Sequence, residues 1–111
     1  MTALRTVVVT PKGFVGGAER WLLSILDHAD RLAPTVVLLQ DGPLRAELEQ
    51  RDIDTIVLPT GASGLAIAGA GAQLWRRLRR LDPDVLLANG IKAATVAIGP
   101  ARLLGIPSVW V

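Results

Sequence analysis

The apolar residues of this chain gather in short consecutive runs, separated by stretches in which they recur every three or four positions. Val7, Val8 and Val9 form one run; Val36, Val37, Leu38 and Leu39 form another; Val85, Leu86 and Leu87 form a third. A strand with one wet face alternates apolar and polar residues, whereas an unbroken run marks a strand covered on both faces. On this pattern strands are predicted at residues 5–10, 35–40, 55–58, 84–88 and 108–111. Between the first two, Ala18, Trp21, Leu22, Ile25, Leu26 and Ala29 share one helix face. Pro43, at a first-turn position after Asp41 and Gly42, begins a short second helix marked by Leu44, Leu48 and Ile53. Ile67, Ala70, Leu74, Leu78 and Leu81 line a third, ended by Asp82 and Pro83. A fourth is predicted over 93–104, interrupted and kinked at Gly99 and Pro100 and closed by Gly105.

Strand and helix in strict alternation predict an α/β fold: a doubly wound, mostly parallel, five-stranded sheet with helices on both faces. One such domain fills residues 1–111. Its last strand has no helix after it to cover it, so the expectation is a domain truncated at the end of the fifth strand.

Composition narrows the class. Half the residues are apolar, a fifth are charged and 4% are aromatic, which describes a folded domain packed on aliphatic side chains. With no cysteine, neither a disulfide framework nor a thiolate metal site is available. No secretory leader or membrane-length apolar run is read, and a cytoplasmic location is expected. The formal charge of +2 is local in origin, because Arg76, Arg77, Arg79 and Arg80 stand together and acidic residues outnumber basic ones in the rest. Such a patch argues for a contact site and against a nucleic-acid-binding surface. With Trp75, these arginines read as a solvated helix end favoured by the dipole. A peripheral dock on anionic membrane is the alternative.

Ligands of doubly wound sheets sit at the carboxyl ends of the strands. After the first strand, Gly16 and Gly17 open the first helix, where bare N–H groups at its positive end suit a phosphate. The same glycines serve a tight loop and close packing, so both readings stay open. Glu19 is equally explained by the dipole. The spacing matches neither the dinucleotide fingerprint nor the P-loop. Asp41 stands where a ribose-binding acid could, yet Gly42 and Pro43 make it a turn and helix-start residue. Asn89, Gly90 and Lys92 follow the fourth strand on the same rim. Asn89 is expected to cap the fourth helix, Lys92 to meet an acceptor or phosphate or else to be solvated, and Lys12 to add positive potential. His28, the only histidine, reads as a surface residue near a helix end and not as a catalytic base. A phosphoacceptor receiver would need an acidic pair after the first strand and an aspartate after the third, where Thr10, Pro11, Pro59 and Thr60 stand instead. A flavin module of the same element order would colour the purified protein.

The segment Gly16, Gly17, Ala18, Glu19, Arg20 resembles the N-terminal loop of retaining glycosyltransferases of the GT-B fold, specifically family 4, the "group 1" transferases. Residues 83–89 (PDVLLAN) are similar to that family's fourth strand, and 101–111 (ARLLGIPSVWV) to its next helix and strand. The resemblance spans nearly the whole chain. It implies the Rossmann-like, acceptor-side half of a two-domain enzyme that moves a sugar from a nucleotide-sugar donor to an acceptor with retention. Gly16 and Gly17 would then touch the donor's diphosphate or sugar, and Lys12, Asn89, Gly90 and Lys92 would be the substrate-side candidates. The histidine such enzymes carry after the fifth strand would lie beyond Val111, as would the donor-binding domain. No catalytic residue, metal or cofactor is therefore assigned, and the chain is expected to be inactive alone. The alternative is a noncatalytic docking subunit that pairs with a separate donor-binding chain. Apolar surface left where a second domain would pack favours self-association.

Overall fold

The computed structural model describes residues 4–11, 20, 23–24, 27, 32–61 and 63–110. Its strands are β1 (Leu4–Thr10), β2 (Leu32–Leu38), β3 (Asp54–Val57), β4 (Val85–Ala88) and β5 (Ser108–Trp110). All pair in parallel, in the order β3-β2-β1-β4-β5. The helices are α1 (Pro43–Gln50), α2 (Gly64–Leu81) and α3 (Ile91–Leu104), and Arg20, Leu23, Ser24 and Asp27 are helical between β1 and β2. The sheet is thus the doubly wound α/β sheet that the consecutive apolar runs predict.

Those runs work because successive strand residues serve opposite faces. Val7 and Val9, Val37 and Leu39, and Leu86 and Ala88 pack under Ala70, Leu74 and Leu78 of α2 and Ala93, Val96 and Ala97 of α3. Val8, Val36 and Leu38 point the other way, onto Leu44 and Leu48 of α1 and onto Leu23. Leu23, absent from the predicted face of the first helix, is buried. The residues of that predicted face, with Glu19 and His28, lie outside the described residues.

Several boundaries differ from the pattern, and Ile53 lies beyond the end of α1 at Gln50. β2 begins at Leu32, because residues 32–34 pair with β1 although β3 starts only opposite Thr35. Pro34, which cannot donate to a ladder, therefore sits where β2 has a neighbour on one side only. α2 begins at Gly64, capped by Ser63, whose Oγ accepts from the Ala66 N–H at 3.1 Å. α3 begins at Ile91 and runs through Gly99 and Pro100 without a break, so the predicted interruption is corrected. Pro100 lacks the N–H that would reach Val96, and α2 closes on that turn: a Cβ on Gly71 would lie 3.5 Å from the Val96 carbonyl oxygen. Gly105 closes α3 in the left-handed region (φ 67°), as predicted. Asp52 (φ 56°) and Asp82 (φ 45°) take the same region after α1 and α2.

Candidate functional site

β1 leads to β2 on one side, while β4 lies on the other, so the strand order reverses between β1 and β4. At such a point the connections diverge and leave a crevice at the carboxyl ends. Thr10, Pro11, Asn89 and Gly90 border it.

Backbone and side-chain bonds tie this rim together. The Asn89 N–H donates to the Val9 carbonyl at 2.8 Å, and Asn89 Nδ2 donates to Thr10 Oγ1 at 3.3 Å. Both residues are buried. The Leu39 N–H donates to the Thr10 carbonyl at 3.0 Å, and the Thr60 N–H to the Leu39 carbonyl at 2.9 Å. Lys92 Nζ reaches from the first turn of α3 to the Thr60 carbonyl at 2.9 Å, spanning from α3 to the loop after β3. An ammonium has three donors, so two N–H groups of Lys92 are left for another acceptor.

Asn89 does not cap α3, and that expectation is corrected. The N-cap is Gly90, with no side-chain bond, because the Asn89 amide is drawn down to Thr10 and away from the helix start. Gly90 has φ 92°, a conformation that glycine adopts without steric cost. α3 consequently opens on the rim with no side-chain cap on its first N–H groups among the described residues, at the positive end of its dipole. Asp41 does what the turn reading expects: Oδ1 accepts from the Gly42 N–H at 2.8 Å and Oδ2 pairs with Arg45 at 3.0 Å.

Of the residues singled out from sequence, the structure brings Asn89, Gly90 and Lys92 to one rim. Lys12, Gly16 and Gly17 lie outside the described residues. Thr10 and Thr60 were not among the candidates. Their only signal was position, each standing just after an apolar run at a strand's carboxyl end. Among the described residues no group of His, Asp or Glu side chains is arranged to hold a metal ion.

A cleft of about 680 Å³ opens at the opposite, amino end of the sheet between Arg5, Ala33, Arg51 and Asp54. Its cations are already engaged. Arg5 lies 3.8 Å from Asp82 and 3.9 Å from Asp84; Arg51 Nε donates to Asp27 at 2.7 Å and Nη1 to Glu47 at 3.0 Å. The hydrogen bond to Asp27, then that to Glu47, raise the Arg51 guanidinium above its ordinary pKa. Strand polarity makes the carboxyl rim, and not this cleft, the candidate site.

The model of Glycosyltransferase Family 4 matches residues 15–111. A glycosyltransferase from Rickettsia africae superposes with a TM-score of 0.81 at 16% identity, over 99% of this chain and 30% of that one. HepE from Anabaena, in complex with UDP, superposes with a TM-score of 0.78 at 27% identity, over 96% of this chain and 29% of that one. MurG from Acinetobacter baumannii gives 0.70 at 20% identity, over 97% and 34%. The chain thus spans about a third of the length of these structures. No curated protein matches it.

Proposed function

The chain belongs to Glycosyltransferase Family 4, and from that premise we propose that it is the acceptor-side domain of an enzyme that transfers a sugar from a nucleotide-sugar donor, with retention. One observation carries this reading: the uncapped start of α3 at the strand-order reversal, with Gly90 and Lys92 on it. When a glycosyl–phosphate bond breaks, negative charge grows on the departing diphosphate. Oriented N–H groups and an ammonium oppose that charge without having to reorganise. Lys92 can turn its remaining N–H groups to such an oxygen while still held by Thr60. Asn89, fixed to Thr10, sets the position of Gly90. Gly16 and Gly17 supply backbone contact to the donor, and Lys12 adds positive potential. HepE, described in complexes with UDP and with UDP-glucose, supports a uridine nucleotide as the first donor to try.

In this proposal most donor contacts come from a second domain or a partner chain, so this chain alone is inactive and binds nucleotide sugars weakly. It also meets its acceptor at an anionic membrane surface, through Trp75, Arg76, Arg77, Arg79 and Arg80, and works on the cytoplasmic side. Two measurements test the catalytic reading. Titration of the isotopically labelled chain with UDP-glucose should move the amide signals of residues 90–93 at millimolar ligand; tight stoichiometric binding by calorimetry contradicts the division of labour. Joined to a donor half, the chain should yield a product whose anomeric configuration matches the donor's, and inversion would overturn retention. Assembly with a donor half and no sugar transfer points instead to a docking subunit.

A further inference from the structure

Asn89 is the only asparagine of the chain, and a glycine follows it. The carboxamide carbon of an asparagine can be attacked by the main-chain nitrogen of the next residue, closing a small, unstrained ring. Because the attack is intramolecular, proximity lowers its barrier, and asparagine counts among the thermolabile residues. A glycine in the next position leaves the attacking nitrogen without a side chain to shield it and the backbone free to turn.

Little in the fold restrains this pair. The Asn89 side chain has one hydrogen bond among the described residues, to Thr10 Oγ1 at 3.3 Å, which is long for an N–H donor and an oxygen. The Gly90 N–H has none among them: the preceding N–H, of Asn89, goes to the Val9 carbonyl, and α3 begins its own ladder with Ala94 N–H to the Gly90 carbonyl. At Asp41 and Gly42, by contrast, the glycine N–H is held by the Asp41 carboxylate at 2.8 Å. Gly90 is half-buried on the rim, at the positive end of α3. That end favours the negative charge that gathers on the Gly90 nitrogen and on Asn89 Oδ1 as the ring closes.

We propose that Asn89 and Gly90 form a site of self-deamidation in the folded chain, with Thr10 setting its pace. The Gly90 nitrogen bonds to Asn89 Cγ and gives up its proton; the Cγ–Nδ2 bond breaks, and Nδ2 leaves with that proton as ammonia. Water then opens the cyclic imide at either carbonyl, adding its OH to that carbon and its remaining proton to the nitrogen released. The product is an aspartate at position 89, in an ordinary or a β-linked main chain, and water is the sole co-reactant. Both products set a carboxylate beside the first amides of α3, where it competes with any bound anion. The β-linked product also lengthens the main chain between β4 and α3. The rim thus loses its anion site as the molecule ages; this consequence rests on the transferase reading, whereas the modification does not.

Intact-mass spectrometry and peptide mapping of the whole chain, kept folded in warm, mildly alkaline buffer, test the modification. The parent should gain the mass difference between OH and NH2 at position 89, in two chromatographic forms. Thr10→Val should react roughly fivefold faster, the factor carried by one ordinary hydrogen bond. Ile53→Ala, which lowers stability by a cavity in the other layer, should react like the parent. Gly90→Ala should react severalfold more slowly. A parent that stays intact while the urea-unfolded chain deamidates overturns the proposal. So does Thr10→Val reacting at the parent's rate, or Ile53→Ala reacting as fast as Thr10→Val, which would make global unfolding the cause. Millimolar UDP-glucose should move the amide signals of residues 90–93 in the fresh chain and leave them still in the deamidated one. Equal shifts in both overturn the loss of the site; no shift even in the fresh chain fails the transferase reading and that consequence with it, while the mass data still decide the modification.

Discussion

Asn89 Nδ2 donates to Thr10 Oγ1 at 3.3 Å, joining residues 79 positions apart across the point where the strand order reverses. The bond is buried, and it decides which residue caps α3. With the Asn89 side chain turned to Thr10, Gly90 is left at the helix start, and among the described residues no side chain caps the first amides of α3.

Thr10→Val removes the acceptor with little change of shape and strands a buried amide. It should destabilise the fold by about 1–3 kcal/mol in urea unfolding. Asn89→Ala should cost about as much singly, and the two changes together should cost less than their sum, because one broken bond is counted twice. Additive losses would show that the pair does not act as a unit.

Two glycines should answer alanine in opposite directions. At Gly90 the added Cβ would have room, 3.9 Å from Pro11 Cγ, but φ 92° would be strained by about 1–2 kcal/mol. At Gly69, in the middle of α2 with nothing within 4 Å, alanine should stabilise by about 0.5–1 kcal/mol. Denaturation midpoints of the two variants measure the contrast.

Lys92→Met keeps the length of the side chain and deletes its bond to the Thr60 carbonyl. The Thr60 amide, now bonded to Leu39, should exchange its hydrogen roughly tenfold faster while the amides of β1 are unaffected. In an enzyme with its donor half attached, the same change should lower kcat more than it raises KM. Unchanged exchange would mean that Lys92 does not hold the loop.

Arg51 supplies a pH prediction with a definite sign. Its folded-state pKa lies above its ordinary value, so its contribution is complete below the unfolded-state pKa and is lost only as pH rises through the folded one. Both values lie above the working range, and from about pH 6 to about pH 9 the stability gap between the parent and Arg51→Gln should stay flat. Added salt should narrow that gap, since Arg51, Asp27 and Glu47 face water. A gap that closes within this pH window would contradict the assignment.

The sheet was legible because its strands are double-faced: Val7, Val8 and Val9 had to serve two layers, and they do. Where sequence reading fell short, the deciding partner was distant along the chain. Nothing local says that Leu32 pairs with Leu4, which draws Pro34 into β2. Nor does the segment from Ala88 to Lys92 reveal that Asn89 has Thr10 to bind, so a local rule for helix starts chose the wrong cap. Lys92 was found by its place on the rim, while its partner Thr60 comes from the loop after β3 and has no motif of its own.

Asp52 and Asp82 hold left-handed backbone just before β3 and β4, and each sets a negative charge at the negative end of a helix. Both lie at the amino edge of the sheet, remote from the carboxyl rim. These two turns make the amino edge the end expected to open first. On warming, the turns at residues 51–54 and 81–84 should loosen first, and hydrogen exchange should find the rim among the last places to open. A surface substitution that quiets the amino edge, such as Asp52→Gly, would raise heat tolerance without touching the place where a sugar would be handled.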